Sequence, residues 1–566
     1  MHQFDFRRTV TALLMVLLTV SGGSTGKLYA VDGDIWRRVI SGAPVGPSLV
    51  HDDGSITVLA DDRNLYRFHS DGRPVFRLGL RTRNDRLVAG LPDGSVLLAR
   101  EDGSLTRVSH AGEIAWSLQP TPSAVERAAV SNTGFLVLTY AGGGLRALTY
   151  AGHEIWSRRV GASIRYGPFI DGSGRLILVT ADSELLVLGP GGDVRISYDL
   201  ETMPTSVVLR SDGTLLTARE DGSLTIIQPD SGRERVIKES IGHGAFLQTD
   251  TSGRPVVLHD GVLQVLDGEG NPEIIADGVQ SAVVAGADRF VVIRADSTIE
   301  VLNTNGSVQA SVRVADAGEL SEPVAGRNGQ VIVTGSRWVV YGFRVSGGQG
   351  PMWSGPEGSG SRDYRPGVVR GESRSTWRTS TEFRFFEEMV TSGMERQQRS
   401  VLEELETRAE AGTLGAAYSY ASYILGVLVG VPGASGSRQQ VSIELLRRGY
   451  DLLAWLGDNR AHSVMEHGAQ LYRDETRVGI LMDAIADIGY SHRIERQDML
   501  LSLLRRNERS PRVQTAFIAA LQTMHEQGYP PSESALETLT SLTSIGATAS
   551  VRDAAREFIS RVSRSN

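Results

Sequence analysis

Over the first 345 residues the apolar positions gather in short runs of aliphatic and β-branched side chains, such as Ser55-Ile56-Thr57-Val58-Leu59, Leu176-Ile177-Leu178-Val179-Thr180 and Phe290-Val291-Val292-Ile293. Each run is bounded by turn residues, which reads as a strand. One turn series passes from Asp53-Gly54 through Asp93-Gly94 and Asp212-Gly213 to Asn328-Gly329. A second passes from Asp62-Arg63-Asn64 through Asp102-Gly103 and Asp221-Gly222 to Gly335-Ser336. Asp-Gly and Asn-Gly supply the positive φ angles that tight hairpins need. In the same phase, a glycine is followed three or four residues later by a bulky residue: Gly33…Trp36, Gly72…Phe76, Gly112…Trp116, Gly152…Trp156, Gly192…Ile196, Gly232…Val236, Gly270…Ile274, and finally Gly306…Ala310. The glycine spacings are 39, 40, 40, 40, 40, 38 and 36. Eight intervals of this length, each with room for about four short strands, predict an all-β propeller of eight blades over residues 31–345. A seven-bladed ring or an open array is the alternative, because Leu28-Tyr29-Ala30-Val31-Asp32 precedes the first motif. That fragment either closes the ring by pairing into the last blade or is lost with an export signal.

From 346 to 379 the composition changes to Gly, Ser, Pro and Arg, as in Gly355-Pro356-Glu357-Gly358-Ser359-Gly360-Ser361, which reads as a linker. Beyond it, over 380–566, the apolar period becomes 3.6. Ser510 and Pro511 start a helix with an apolar face of Val513, Ala516, Phe517, Ala520, Leu521 and Met524, stopped by Gly528 and Pro530-Pro531. Ser550 with Asp553 starts a second, and Val478, Leu481, Ile485 and Ile488 mark a third, ended by Gly489. Helix pairs at roughly 35–40 residues predict an all-α, solenoid-like, HEAT-like domain, with an irregular bundle as the alternative. Leu414 to Val431 lacks charge and contains Gly426-x-x-x-Gly430, the close-packing spacing of membrane helices. Its Gly, Ser and Tyr content favours a buried solenoid helix. A membrane contact through Leu414 to Val431 is the alternative.

The N-terminus changes the expected location. Arg7 and Arg8 precede an apolar run from Val10 to Val20 and the small, polar stretch Ser21 to Gly26. This reads as a signal peptide over residues 1–30, with an uncleaved anchor as the alternative, and places the chain in the periplasm or otherwise outside the cytoplasm. A formal charge of −8 argues against nucleic acid as a partner. With no cysteine there is no thiolate nucleophile, Cys-ligated metal or disulfide.

The stretch Leu-Tyr-Ala-Val-Asp-Gly-Asp-Ile-Trp at 28–36, with its echoes ending at Trp116 and Trp156, resembles the repeat of the quinoprotein-type (PQQ-like) β-propeller family. Pro351-Met352-Trp353-Ser354-Gly355 is similar to an element found beside such propellers. The resemblance covers roughly 28–362 and implies the fold. It implies two kinds of function: BamB-like work in outer-membrane protein assembly, or PQQ-dependent oxidoreductase chemistry. The second needs a calcium-ligand set and commonly a vicinal Cys pair. The pair is absent from the sequence and no ligand set is assigned.

No catalytic, cofactor-binding or metal-binding residue emerges. His51, His69, His110, His153, His243 and His259 fall near turns or strand ends of different repeats. His462 and His467, five residues apart, sit about 140° apart around a helix and read as a solvated face. The Asp-Gly clusters lack the calcium-loop pattern and read as turns. Gly22-Gly23-Ser24-Thr25-Gly26 matches a nucleophile elbow in letters but lies after the signal core. The repeat aromatics read as blade packing. The expectation is an exported, non-catalytic interaction scaffold with envelope proteins as partners and no cofactor. The alternative is a divergent quinoprotein oxidoreductase, or another ligand binder at the propeller channel.

Overall fold

The computed structural model describes residues 35–345, 378 and 380–565, apart from 81–84, 132–133, 172–173, 286–288, 327, 431–440, 489–492 and 545. The signal segment, the Gly22–Gly26 stretch, Leu28 to Asp32 and Pro351 to Gly355 lie outside these residues.

The strand runs build eight four-stranded antiparallel sheets. Blades 1 to 7 span 49–79, 86–118, 125–159, 164–199, 204–238, 246–276 and 279–313, and blade 8 spans 324–344. First strands adjoin one another around the axis, so each blade runs outward from the channel. The ring closes in a way that the sequence pattern only half anticipates. Trp36–Val39 is the outer strand of blade 8 and pairs with Val339–Arg344 through Trp36↔Gly342, Arg37↔Tyr341, Arg38↔Val340 and Val39↔Val339. The first Gly…Trp motif therefore belongs to the last blade. Eight motifs make eight outer strands, offset by one blade from chain order.

The turn aspartates act on their own backbones. Asp53 Oδ1 accepts the Ser55 N–H at 2.8 Å, Asp102 Oδ1 that of Ser104 at 2.8 Å, and Asp221 Oδ1 that of Ser223 at 2.8 Å. These are Asx turns, which hold the chain in a hairpin bend. The repeat aromatics join blade to blade. Each sits on the repeat glycine of the next blade: a Cβ on Gly152 would lie 3.1 Å from the Trp116 ring, and one on Gly192 2.8 Å from Trp156. Indole N–H groups fix the same turns, Trp36 to Ser70 O at 2.7 Å, Trp116 to Tyr150 O at 3.0 Å and Trp156 to Pro190 O at 2.7 Å.

Among the described residues ten α-helices follow: α1 (Thr381–Thr391), α2 (Glu395–Glu410), α3 (Tyr418–Leu428), α4 (Ile443–Leu456), α5 (Asn459–Leu471), α6 (Glu475–Asp487), α7 (Arg493–Arg506), α8 (Pro511–Glu526), α9 (Glu533–Leu542) and α10 (Ala549–Ser565). They form antiparallel pairs stacked in two layers. One layer runs α1, α3, α5, α7 and the other α2, α4, α6, α8, α10, a solenoid-like order. Ser510 Oγ caps α8 by accepting the Val513 N–H at 3.2 Å, with Pro511 in the first turn. Asp474 caps α6 through Arg477 N–H at 3.0 Å. The start of α10 lies earlier than Ser550: Arg552 N–H already bonds Thr548 O, so Ser550 sits inside the first turn.

Leu414 to Val429 packs inside the protein. It forms a short turn and the 11-residue α3, and Leu414, Tyr418, Ile424, Leu425 and Leu428 are buried in the core. Their apolar surface is spent on protein packing, as the buried-helix reading of this stretch expects. No helix among the described residues is long and apolar enough to cross a membrane.

Candidate functional site

In every blade the turn joining strands one and two and the turn joining strands three and four emerge on the same face of the disc. The helical region stands on that face over blades 2, 3 and 4, and it stands on an edge. The loops α2–α3, α4–α5 and α8–α9 provide the contacts. Above blade 4, Gly191 packs so closely under Ala416 that a Cβ there would lie 2.4 Å from the Ala416 nitrogen. Above blade 3, Phe135 meets Tyr418 edge-on at 5.8 Å, and His153 stacks on Trp455 at 5.1 Å and 8°. Gly134 (φ +112°) lies under Gly457, where a Cβ would come within 2.4 Å of the carbonyl oxygen.

The most polar part of the contact lies over blade 2. Its third strand, Leu105–Val108, carries Arg107 between Thr106 and Val108. Arg107 Nε donates to Ser95 Oγ at 2.8 Å, Nη1 to Tyr150 O at 2.6 Å, and Nη2 pairs with Asp93. Tyr529, from the α8–α9 loop, donates its hydroxyl to Asp93 Oδ2 at 2.5 Å and accepts from Arg107 Nη2 at 3.0 Å. His110 stacks against the Tyr529 ring at 5.6 Å, and the Arg496 guanidinium of α7 lies 4.6 Å from the ring centroid. Arg107 and Asp93 are 4% and 2% exposed, so this is a buried ionic cluster of two cations and one anion.

Its electrostatics follow from that composition. Burial pushes the Asp93 carboxyl up, but Arg107 and the hydrogen bonds from Ser95 and Tyr529 outweigh it and hold the carboxyl well below the usual carboxylate range. Burial raises the Tyr529 phenol. Burial lowers Arg496, whose Nη1 donates to Ile488 O at 2.9 Å. A cation over an aromatic face is attracted by the ring's negative face, which keeps the second guanidinium in place.

None of the interface groups was singled out from the sequence as a site. His110 and His153, which the sequence places near turns of different repeats, both pack against the helical region. The one available signal was Arg67 and Arg107, charged residues 40 positions apart inside strand runs. Tyr529 was hidden within the helix-stop stretch before Pro530-Pro531. His462 and His467 remain apart in role: His467 Nδ1 contacts Ser463 O at 2.7 Å within α5. No group of His, Asp and Glu able to hold a metal occurs among the described residues.

The family model for the outer membrane protein assembly factor BamB (PQQ_2) matches residues 24–188 and 101–285. The blades within 24–285 match PQQ-like repeats. No curated protein matches the sequence. Among solved structures, BamB from Moraxella catarrhalis is 14% identical over 55% of this chain and 100% of its own, with a TM-score of 0.41. The computationally designed Ika8 protein is 17% identical over 54% and 98%, with a TM-score of 0.44. Sqt1 of Saccharomyces cerevisiae is 13% identical over 55% and 98%, with a TM-score of 0.43.

Two surfaces flank the PQQ-like blades. The face opposite the helices displays the turns between strands two and three. On the helical side, α4, α6 and α8 frame an open groove of about 380 Å³, lined by Arg447, Thr476, Gly479, Asp483, Arg512 and Thr515.

Proposed function

We propose that this chain is an exported, non-catalytic scaffold that binds envelope proteins and serves outer-membrane protein assembly, in the periplasm. The observation that carries the reading is the joint body: PQQ-like blades matched to the BamB family model, with a helical layer fixed edge-on by a buried ionic cluster and stacked rings. Rigid, broad surfaces suit protein partners, because docking onto a preorganised face avoids an ordering cost. The two-layered helices, read as HEAT-like, extend one face of the disc into a second binding surface.

The test is affinity capture from envelope extracts with the full chain, followed by fractionation of the cells that express it. Recovery of outer-membrane assembly components and a periplasmic location are expected. Cofactor absorbance and dye reduction on mixing the purified protein with PQQ and calcium would overturn the non-catalytic reading.

A further inference from the structure

The socket that Tyr529 fills on blade 2 has a second copy on blade 1. Forty residues earlier, Asp53, Ser55 and Arg67 repeat Asp93, Ser95 and Arg107 in the same turn and third-strand positions. Ser55 gives its N–H (2.8 Å) and its hydroxyl (2.5 Å) to Asp53 Oδ1, as Ser95 does to Asp93 at 3.0 and 2.6 Å. Arg67, 2% exposed, donates to Ser55 Oγ at 2.6 Å and to Gly94 O. The fold itself does not demand this arginine, since Ala147 and Val187 hold the corresponding position in blades 3 and 4.

The copies differ in what covers them. Asp93 is 2% exposed beneath Tyr529, whereas Asp53 is 66% exposed and its Oδ2 lies 3.8 Å from Arg67 Nη2, beyond hydrogen-bond distance. We propose that the blade-1 socket takes a tyrosine from a partner protein, presented on a turn as the α8–α9 loop presents Tyr529. The inference rests on the reading of the chain as a protein-binding scaffold. The sockets are continuous, because Arg67 bonds the carbonyl of Gly94, within the turn whose Asp93 receives Tyr529. A partner seated on blade 1 therefore adjoins the established helix–propeller contact. The chemistry selects a phenol: it donates to the carboxylate and accepts from the guanidinium behind it. A cationic side chain meets Arg67, and an anionic one meets Asp53. A neutral hydroxyl suits both.

The probe is a synthetic peptide of the α8–α9 loop, Met524 to Ser532, titrated into the full chain and followed by fluorescence anisotropy. Saturable binding is expected. Asp53→Asn in the protein, or phenylalanine in place of the peptide tyrosine, should each weaken it about tenfold or more, the usual effect of losing a hydrogen bond to a charged group. Binding that survives both changes, or no saturation at millimolar concentrations, overturns the socket. Envelope capture run in parallel separates the two readings. Equal capture by the wild-type and Asp53→Asn chains without peptide binding removes the socket alone. Peptide binding with no captured protein removes the scaffold.

Discussion

Replacing Asp93 by asparagine should be among the most costly single changes at the helix–propeller contact, and the same change at Asp53 should be nearly silent. At residue 93 the substitution leaves Arg107 and Arg496, both buried, without their carboxylate, and weakens the acceptor of the Tyr529 hydroxyl. Removing one partner of a buried ion pair costs about 3–5 kcal/mol, because the remaining charge is stranded in a poor solvent. At residue 53 the carboxylate is 66% exposed and water takes over its role, so about 0–1 kcal/mol is expected. Asparagine keeps an oxygen for the Asx turn at both places, which isolates the charge. Urea unfolding of the full chain followed by circular dichroism measures both variants at pH 7. The acid dependence adds a signature. The folded Asp93 carboxyl titrates below its ordinary value of 3.8, so its stabilisation is present above that pH and fades as pH falls below it. The gap between wild type and Asp93→Asn should therefore close on acidification below about pH 4. Equal costs at 53 and 93, or a gap at pH 7 under about 0.5 kcal/mol, would refute the buried-cluster argument.

Limited proteolysis should cut between 346 and 379, and the two fragments should co-elute on gel filtration, since the core over blades 2 to 4 continues into the helices; fragments that separate contradict that continuity. Trp116→Ala or Trp156→Ala should each cost about 3–5 kcal/mol in urea unfolding, as large-to-small core changes do. Burial holds the His153 imidazole below its usual 6.5, against a backbone hydrogen bond with Trp455 that raises it, so stability should fall as pH drops below that value, and His153→Phe should flatten the dependence. Alkaline carbonate should release a signal-cleaved protein from membranes, because the α3 segment is buried in protein; retention of the cleaved form in the pellet overturns this.

The propeller was legible because its signals repeat. Asp-Gly turns and Gly…Trp spacings depend on local backbone geometry, and eight copies make each one hard to miss. Closure was only partly legible, since strand pairing between Trp36–Val39 and Val339–Arg344 is a contact across the whole ring. Helix α8 was marked by Ser510, Pro511 and a clean apolar face, whereas α10 carries two hydroxyl residues at its start, Thr548 and Ser550, and the pattern alone does not choose between them. The docking contact left almost no trace. Tyr529 and Asp93 are 436 residues apart, and each looks ordinary in its own segment.

A single carbonyl shows how the repeat and the docking contact are coupled. Tyr150 O, in the turn between strands three and four of blade 3, accepts Trp116 Nε1–H at 3.0 Å and Arg107 Nη1–H at 2.6 Å. The first bond comes from the motif that defines the repeat, and the second from the residue that anchors Tyr529. Three residues on, the same turn carries His153 to Trp455. The aromatic that joins blade 2 to blade 3 thus also sets the height of a turn on which the helices rest. Loss of the Trp116 indole should then be felt at the His153–Trp455 stack. A Trp116→Phe variant, which keeps an aromatic ring at the blade contact and removes the N–H, separates the two effects. Weaker association of the two proteolytic fragments, with the propeller fragment unchanged in stability, is the expected result; unchanged association would mean that Arg107 alone positions the turn.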